Sequence, residues 1–129
     1  MSKESLSKQQ IDRFIRDEID SVPQLEALLL FWNHASAQWT CEDLARELYV
    51  SPLVAQNVLT HLAGKRLILE VPESSGRYAL HLESQERENL VSSLDTIYRQ
   101  ELVRISKMIH AKDSPGLRDF ARSFRFKRD

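Results

Sequence analysis

The stretch VSPLVAQNVLTHL, residues 50–62, concentrates polar side chains that could recognise a partner. Wound as a helix, it sets Leu53, Gln56, Asn57, Thr60 and His61 on one side and Ala55, Leu59 and Leu62 on the other. A carboxamide carries a donor beside an acceptor, so Gln56 and Asn57 can each form the paired hydrogen bonds that fit an adenine edge. Thr60 can meet a thymine methyl or a phosphate, and His61 a phosphate or a base edge. No lysine or arginine occurs within the stretch, so recognition there rests on hydrogen bonds rather than charge. Lys65, Arg66 and Arg77 supply cations just beyond it. Leu53 and Val54, at its start, are equally what a protein-binding face would carry.

Other reactive side chains form no catalytic or metal-ligating set. His34, His61, His81 and His110 are dispersed, with no carboxylate or cysteine at metal-ligand spacing, so neither a metal nor another cofactor is expected. Cys41 is the single cysteine, which excludes an internal disulfide and fits a reducing compartment. Its place in a first helical turn would lower the thiol pKa through the helix dipole, as in a redox sensor, although most such thiols are structural. Gly64 ends a helix, Gly76 turns a hairpin and Gly116 begins the last helix, leaving no glycine for a phosphate-cradling loop. With no Gly-x-Ser-x-Gly or Walker pattern either, the sequence does not read as an enzyme. Asp17-Glu18 and Glu42-Asp43 read as solvated helix faces, and Trp32 and Trp39 as plugs of a small core.

The elements that must hold these residues follow from periodicity and capping. Ile11, Phe14, Ile15 and Ile19 fall at helical spacing. Ser21 and Pro23 start a second helix, LEALLLFWNH, apolar almost all round and therefore central. Gln38-Trp39-Thr40 is a short extended piece, and Thr40 with Asp43 has the spacing of a capping box ahead of the helix CEDLARELY. Ser51 caps and Pro52 opens the helix that runs to about Gly64. LILEV and RYALHL, joined by Pro72-Glu73-Ser74-Ser75-Gly76, read as a β-hairpin. A single long helix is expected over 84–111, with Leu90, Leu94, Ile97, Tyr98, Leu102, Ile105 and Ile109 on its apolar stripe, and a short helix over 114–129.

Helix, short strand, helix, tight turn, helix, hairpin is the order of a winged helix-turn-helix. The segment LARELYVSPLVAQNVLTHLAGKRLILEV resembles the bacterial winged-helix transcriptional regulators, the MarR-like and related groups. Leu44, Ala45 and Leu48 match in the scaffold helix, Val50 and Ser51 in the turn, and Leu67-Ile68 at entry to the wing. The resemblance covers about residues 38–82. It implies a mainly α fold with a small β-hairpin, a winged helix-turn-helix with extra N- and C-terminal helices. It further implies that Ser51, Gln56, Asn57, Thr60 and His61 face a major groove while Lys65, Arg66 and Arg77 hold phosphates. Two positions depart from the pattern. Asn57 stands where the family commonly has a basic residue, and Arg66 stands where it has glycine.

At 129 residues the chain has the length of one domain, here 1–129. The longest apolar run, Ala27 to Trp32, is far short of a membrane span, and MSKESLSKQQ lacks a signal peptide's apolar core, so a cytoplasmic protein is expected. Residues 38–84 carry four basic against six acidic groups, net −2, whereas the last fourteen residues carry five against two, net +3. The resemblance implies a sequence-specific regulator bound to double-stranded DNA, with the long helix holding a homodimer. The alternative is a winged-helix protein-interaction module without DNA binding, engaging a partner through Leu53 and the tail 114–129. That tail, with Phe120 and Phe124 among Arg125, Lys127 and Arg128, could serve a dimer partner, phosphates or another protein, or simply be solvated.

Overall fold

The computed structural model describes residues 8–113. Their order is α1 (Lys8–Glu18), α2 (Val22–Asn33), β1 (Trp39–Thr40), α3 (Cys41–Leu48), α4 (Pro52–Gly64), β2 (Ile68–Glu70), β3 (Arg77–Leu80), α5 (Gln85–Gln100) and α6 (Leu102–Asp113). The helix expected over 114–129 lies outside the described residues.

α2 occupies the centre, as its composition requires. Leu25, Ala27, Leu28, Leu29 and Phe31 are buried, and α2 packs on α3, α4, α5, α6 and β3. Ser21 caps it, accepting from the Gln24 N–H at 3.3 Å. Ile11, Phe14, Ile15 and Ile19 bury against this core from α1 and its end. Trp39 meets Phe31 edge-on at 6.4 Å and His34 at 6.0 Å, so it plugs the core margin, while its buried indole N–H finds no protein partner.

The hairpin gains a third strand. The extended piece at Trp39–Thr40 pairs antiparallel with β3, Trp39 opposite Tyr78 and Thr40 opposite Arg77, and the sheet order is β1-β3-β2. On the other edge Ile68 faces Leu80 and Glu70 faces Tyr78. β1 thereby fastens the start of α3 to the wing.

The single helix expected over 84–111 is two helices. Glu101 leaves helical geometry (φ −129°, ψ 45°) although its N–H still reaches the Ile97 carbonyl. The break turns α6 back so that Ile105 and Ile109 bury against α1 and α2, while Leu102 and Val103 stay 51% and 65% exposed. Lys8 at 2.8 Å and Arg104 at 2.5 Å hold the Glu101 carboxylate, and Arg104 also reaches Asp12. Among the described residues, no helix is long and apolar enough to cross a membrane.

Candidate nucleic-acid interface

α4 begins as its sequence dictates. Ser51 is extended, its hydroxyl accepts the Val54 N–H at 3.2 Å, and Pro52 fills the first turn, where amides have no helical partner. Ala55, Val58, Leu59 and Leu62 are buried against α2, α3 and β2. That pinning sets the opposite side outward: Leu53, Gln56, Asn57 and Thr60 are all exposed. The Gln56 amide reaches the Thr60 hydroxyl at 3.4 Å, a long bond that a ligand could replace. This side presents hydrogen-bonding groups and no ionised one.

Both ends of α4 are flanked by residues in left-handed backbone. Tyr49 (φ 59°) ends α3, with the Val50 N–H returning to the Ala45 carbonyl, and Arg66 (φ 62°) follows α4. Around Arg66 the bonds Arg66 N–H to Ala63 and Leu67 N–H to Leu62 close a Schellman motif, with Leu62 and Leu67 both buried as its apolar pair. Such a position favours glycine, so an arginine there carries backbone strain. Arg66 is exposed. Tyr49 is 94% exposed and Leu53 71%, one on either side of the α4 cap in the sequence. Sequence periodicity gave no warning of Tyr49, because a helix's last residue carries no face assignment.

His61 and Lys65 do not lie where the sequence puts them. His61 is half-buried and its Nε2 bonds the Glu18 carbonyl at 2.7 Å, and Lys65 Nζ donates to the Asp17 carbonyl at 3.2 Å. Both turn towards the end of α1, whose unpaired carbonyls attract them: His61 leaves the outward face of Gln56 and Asn57, and Lys65 meets a carbonyl where the resemblance implies a phosphate.

Arg77 opens β3, exposed beside the turn at the tip of the wing. The turn before it is closed by Val71 N–H to the Arg77 carbonyl at 2.7 Å and Arg77 N–H to Ser74 at 3.0 Å. Gly76 (φ 88°) supplies the positive angle, and its N–H donates to the Glu70 carboxylate at 2.7 Å. Arg46 is paired with Asp43 at 2.7 Å. The structure thus sets Gln56, Asn57 and Thr60 on the exposed side of α4 after its exposed cap Ser51, and leaves Arg66 and Arg77 exposed outside the helix.

Cys41 corrects the dipole argument. Its thiol is half-buried and donates to the Pro52 carbonyl at 3.3 Å, and burial, with Glu42 adding to it, pushes its pKa up instead of down. Among the described residues, no group of three or more histidine, cysteine or acidic side chains could hold a metal ion.

The chain matches no family model and no curated protein sequence. Solved structures do resemble it. Rv1404 from Mycobacterium tuberculosis shares 25% identity over 74% of this chain and 65% of its own, with a TM-score of 0.52, so the chain spans just under two thirds of that protein. MepR from Staphylococcus aureus, a transcription regulator of the multidrug efflux pump MepA, shares 23% over 78% of this chain and 74% of its own, TM-score 0.52. The chain has the MarR-like winged-helix fold. A MepR–DNA complex shows the same likeness, with 20% identity over 85% and 88% of the two chains and a TM-score of 0.53. Within the winged helix, α3 is the scaffold, α4 the outward helix, and β2 and β3 the wing.

Proposed function

We propose that the protein is a DNA-binding transcription regulator in which α4 reads base edges from a major groove. The observation that carries this reading is the uncharged outward row of Gln56, Asn57 and Thr60 on a helix whose other side is locked in the core. Amides held at fixed orientation on a rigid helix can make paired bonds to adenine, where direction matters more than charge. The capped start of α4 at Ser51 suits a phosphate, since helix N-termini favour anions. Arg66 and Arg77 contact the flanking backbone and fix register without reading sequence. The likeness to MepR, one of whose structures is a DNA complex, supports the same assignment. A homodimer would place two such helices about one helical turn apart, ~34 Å, on a two-fold site.

A second reading has its own support, because Tyr49 and Leu53 are exposed apolar side chains near the start of α4 that a protein partner could cover. Fluorescence anisotropy with DNA duplexes separates the two. On the DNA reading Asn57→Ala relaxes sequence preference by about 1–3 kcal/mol at one base pair, while Arg77→Ala weakens all sequences alike. Binding of no duplex by the wild type at low salt would sink it. On the protein reading Leu53→Asp abolishes partner binding and salt has little effect.

A further inference from the structure

The end of α1 holds an arrangement that DNA contact does not require. A helix leaves its last carbonyls without intrahelical partners. Here the Ile15 carbonyl takes the Ile19 N–H, and each following carbonyl takes a basic side chain from elsewhere in the chain. Lys112 Nζ donates to Arg16 at 2.7 Å and also to Ile19, Lys65 Nζ donates to Asp17 at 3.2 Å, and His61 Nε2 bonds Glu18 at 2.7 Å. Asp20, just past the helix, ion-pairs with Lys112 at 3.0 Å and lies 3.9 Å from His61 Nδ1. Three basic groups, two from the end of α4 and one from the last turn of α6, therefore converge on the negative pole of one helix.

We propose that this clamp sets the pose of α4, making His61 and Lys65 positioning residues that act on DNA through α1. The functional consequence rests on the DNA-binding reading, whereas the clamp does not. Paired amide–base bonds tolerate little misorientation, and the outward face of α4 has no charge to compensate for a tilt. Holding the far end of the helix is therefore worth affinity without any contact to the duplex. Lys112 ties the same joint to α6, so a displacement of α6 against α1 is transmitted to α4.

The test compares His61→Ala, His61→Gln, Lys65→Met and Arg77→Ala by anisotropy across a salt series on the duplex that the wild type selects from a random-sequence pool. His61→Ala and Lys65→Met are each expected to weaken binding about fivefold, the worth of one hydrogen bond, with the salt slope unchanged. Arg77→Ala, which removes one phosphate contact from each protomer, lowers the slope by about 0.9 per protomer, about 1.8 for a dimer. His61→Gln, whose amide can still donate to the Glu18 carbonyl, keeps wild-type affinity. A Lys65→Met slope lowered as far as that of Arg77→Ala, or a His61→Gln variant as weak as His61→Ala, overturns the proposal. A second arm needs no DNA: Lys112→Met is expected to speed amide deuterium exchange over residues 59–66 as well as at the end of α1. Acceleration confined to α1 and α6 overturns the clamp. Should the wild type bind no duplex, the DNA reading falls and the exchange arm alone decides whether the clamp stands.

Discussion

Ser51 serves the fold and the proposed contact with one hydroxyl, and a pair of substitutions pulls the two roles apart. Ser51→Ala removes the acceptor for the Val54 N–H and costs about 1 kcal/mol of stability. Ser51→Asp keeps a capping oxygen and adds a negative charge that the helix N-terminus favours, so its melting temperature equals or exceeds that of the wild type. The same charge faces a phosphate in the proposed complex, and DNA affinity is expected to drop about tenfold. Undiminished affinity in Ser51→Asp would place the start of α4 away from the backbone. Ser51, Gln56, Asn57 and Thr60 were legible in the sequence because capping and helical spacing are local rules. His61 and Lys65 were not, since their acceptors are main-chain carbonyls 43 and 48 residues away, and a carbonyl leaves no mark in a sequence. Arg66 stood out where the family has glycine, and the left-handed backbone at that position is the physical reason glycine suits it.

At the scale of elements, α5 and α6 show how a continuous apolar stripe can conceal a break. The residues from Leu90 to Ile109 keep helical spacing throughout, and no glycine or proline marks Glu101. The reason for the break is tertiary: folding α6 back buries Ile105 and Ile109, and the Glu101 carboxylate at the turn pairs with Lys8 and Arg104. Those hydrogen bonds hold the Glu101 carboxyl below its ordinary value of 4.5, with Lys8 the larger cause. A carboxylate whose folded pKa is depressed contributes stability above its unfolded pKa and loses it as pH falls through the folded value. Glu101→Gln is therefore expected to lower the melting temperature at pH 7, with the gap to wild type closing as the pH falls below 4.5. A gap of constant size from neutral to acid pH would show that the turn is held by packing alone. The third strand had a comparable history. Gln38-Trp39-Thr40 was visibly extended, but two paired residues are too few to announce their neighbour, and only the fold brings Trp39 opposite Tyr78.

Across the whole molecule, charge decides what kind of DNA binding this fold can support. The net charge is −1, the segment 38–84 is itself acidic, and the proposed base-reading face is neutral. Lys65 is drawn to a carbonyl and Arg46 to a carboxylate, which leaves Arg66 and Arg77 as the cations assigned to phosphates. Two contacts per chain make four in a dimer. Each phosphate neutralised adds about −0.9 to the dependence of log affinity on log salt, so the expected slope is about −3.6. On the DNA reading, such a protein would bind non-specific DNA weakly and depend on its amide contacts for discrimination. Anisotropy on one duplex over a range of salt concentrations measures the slope directly. A value near zero would return Tyr49 and Leu53 to the foreground as the docking surface. A slope much steeper than −3.6 would mean that more cations reach phosphates, and the five basic residues of the last fourteen are the reserve from which they would come.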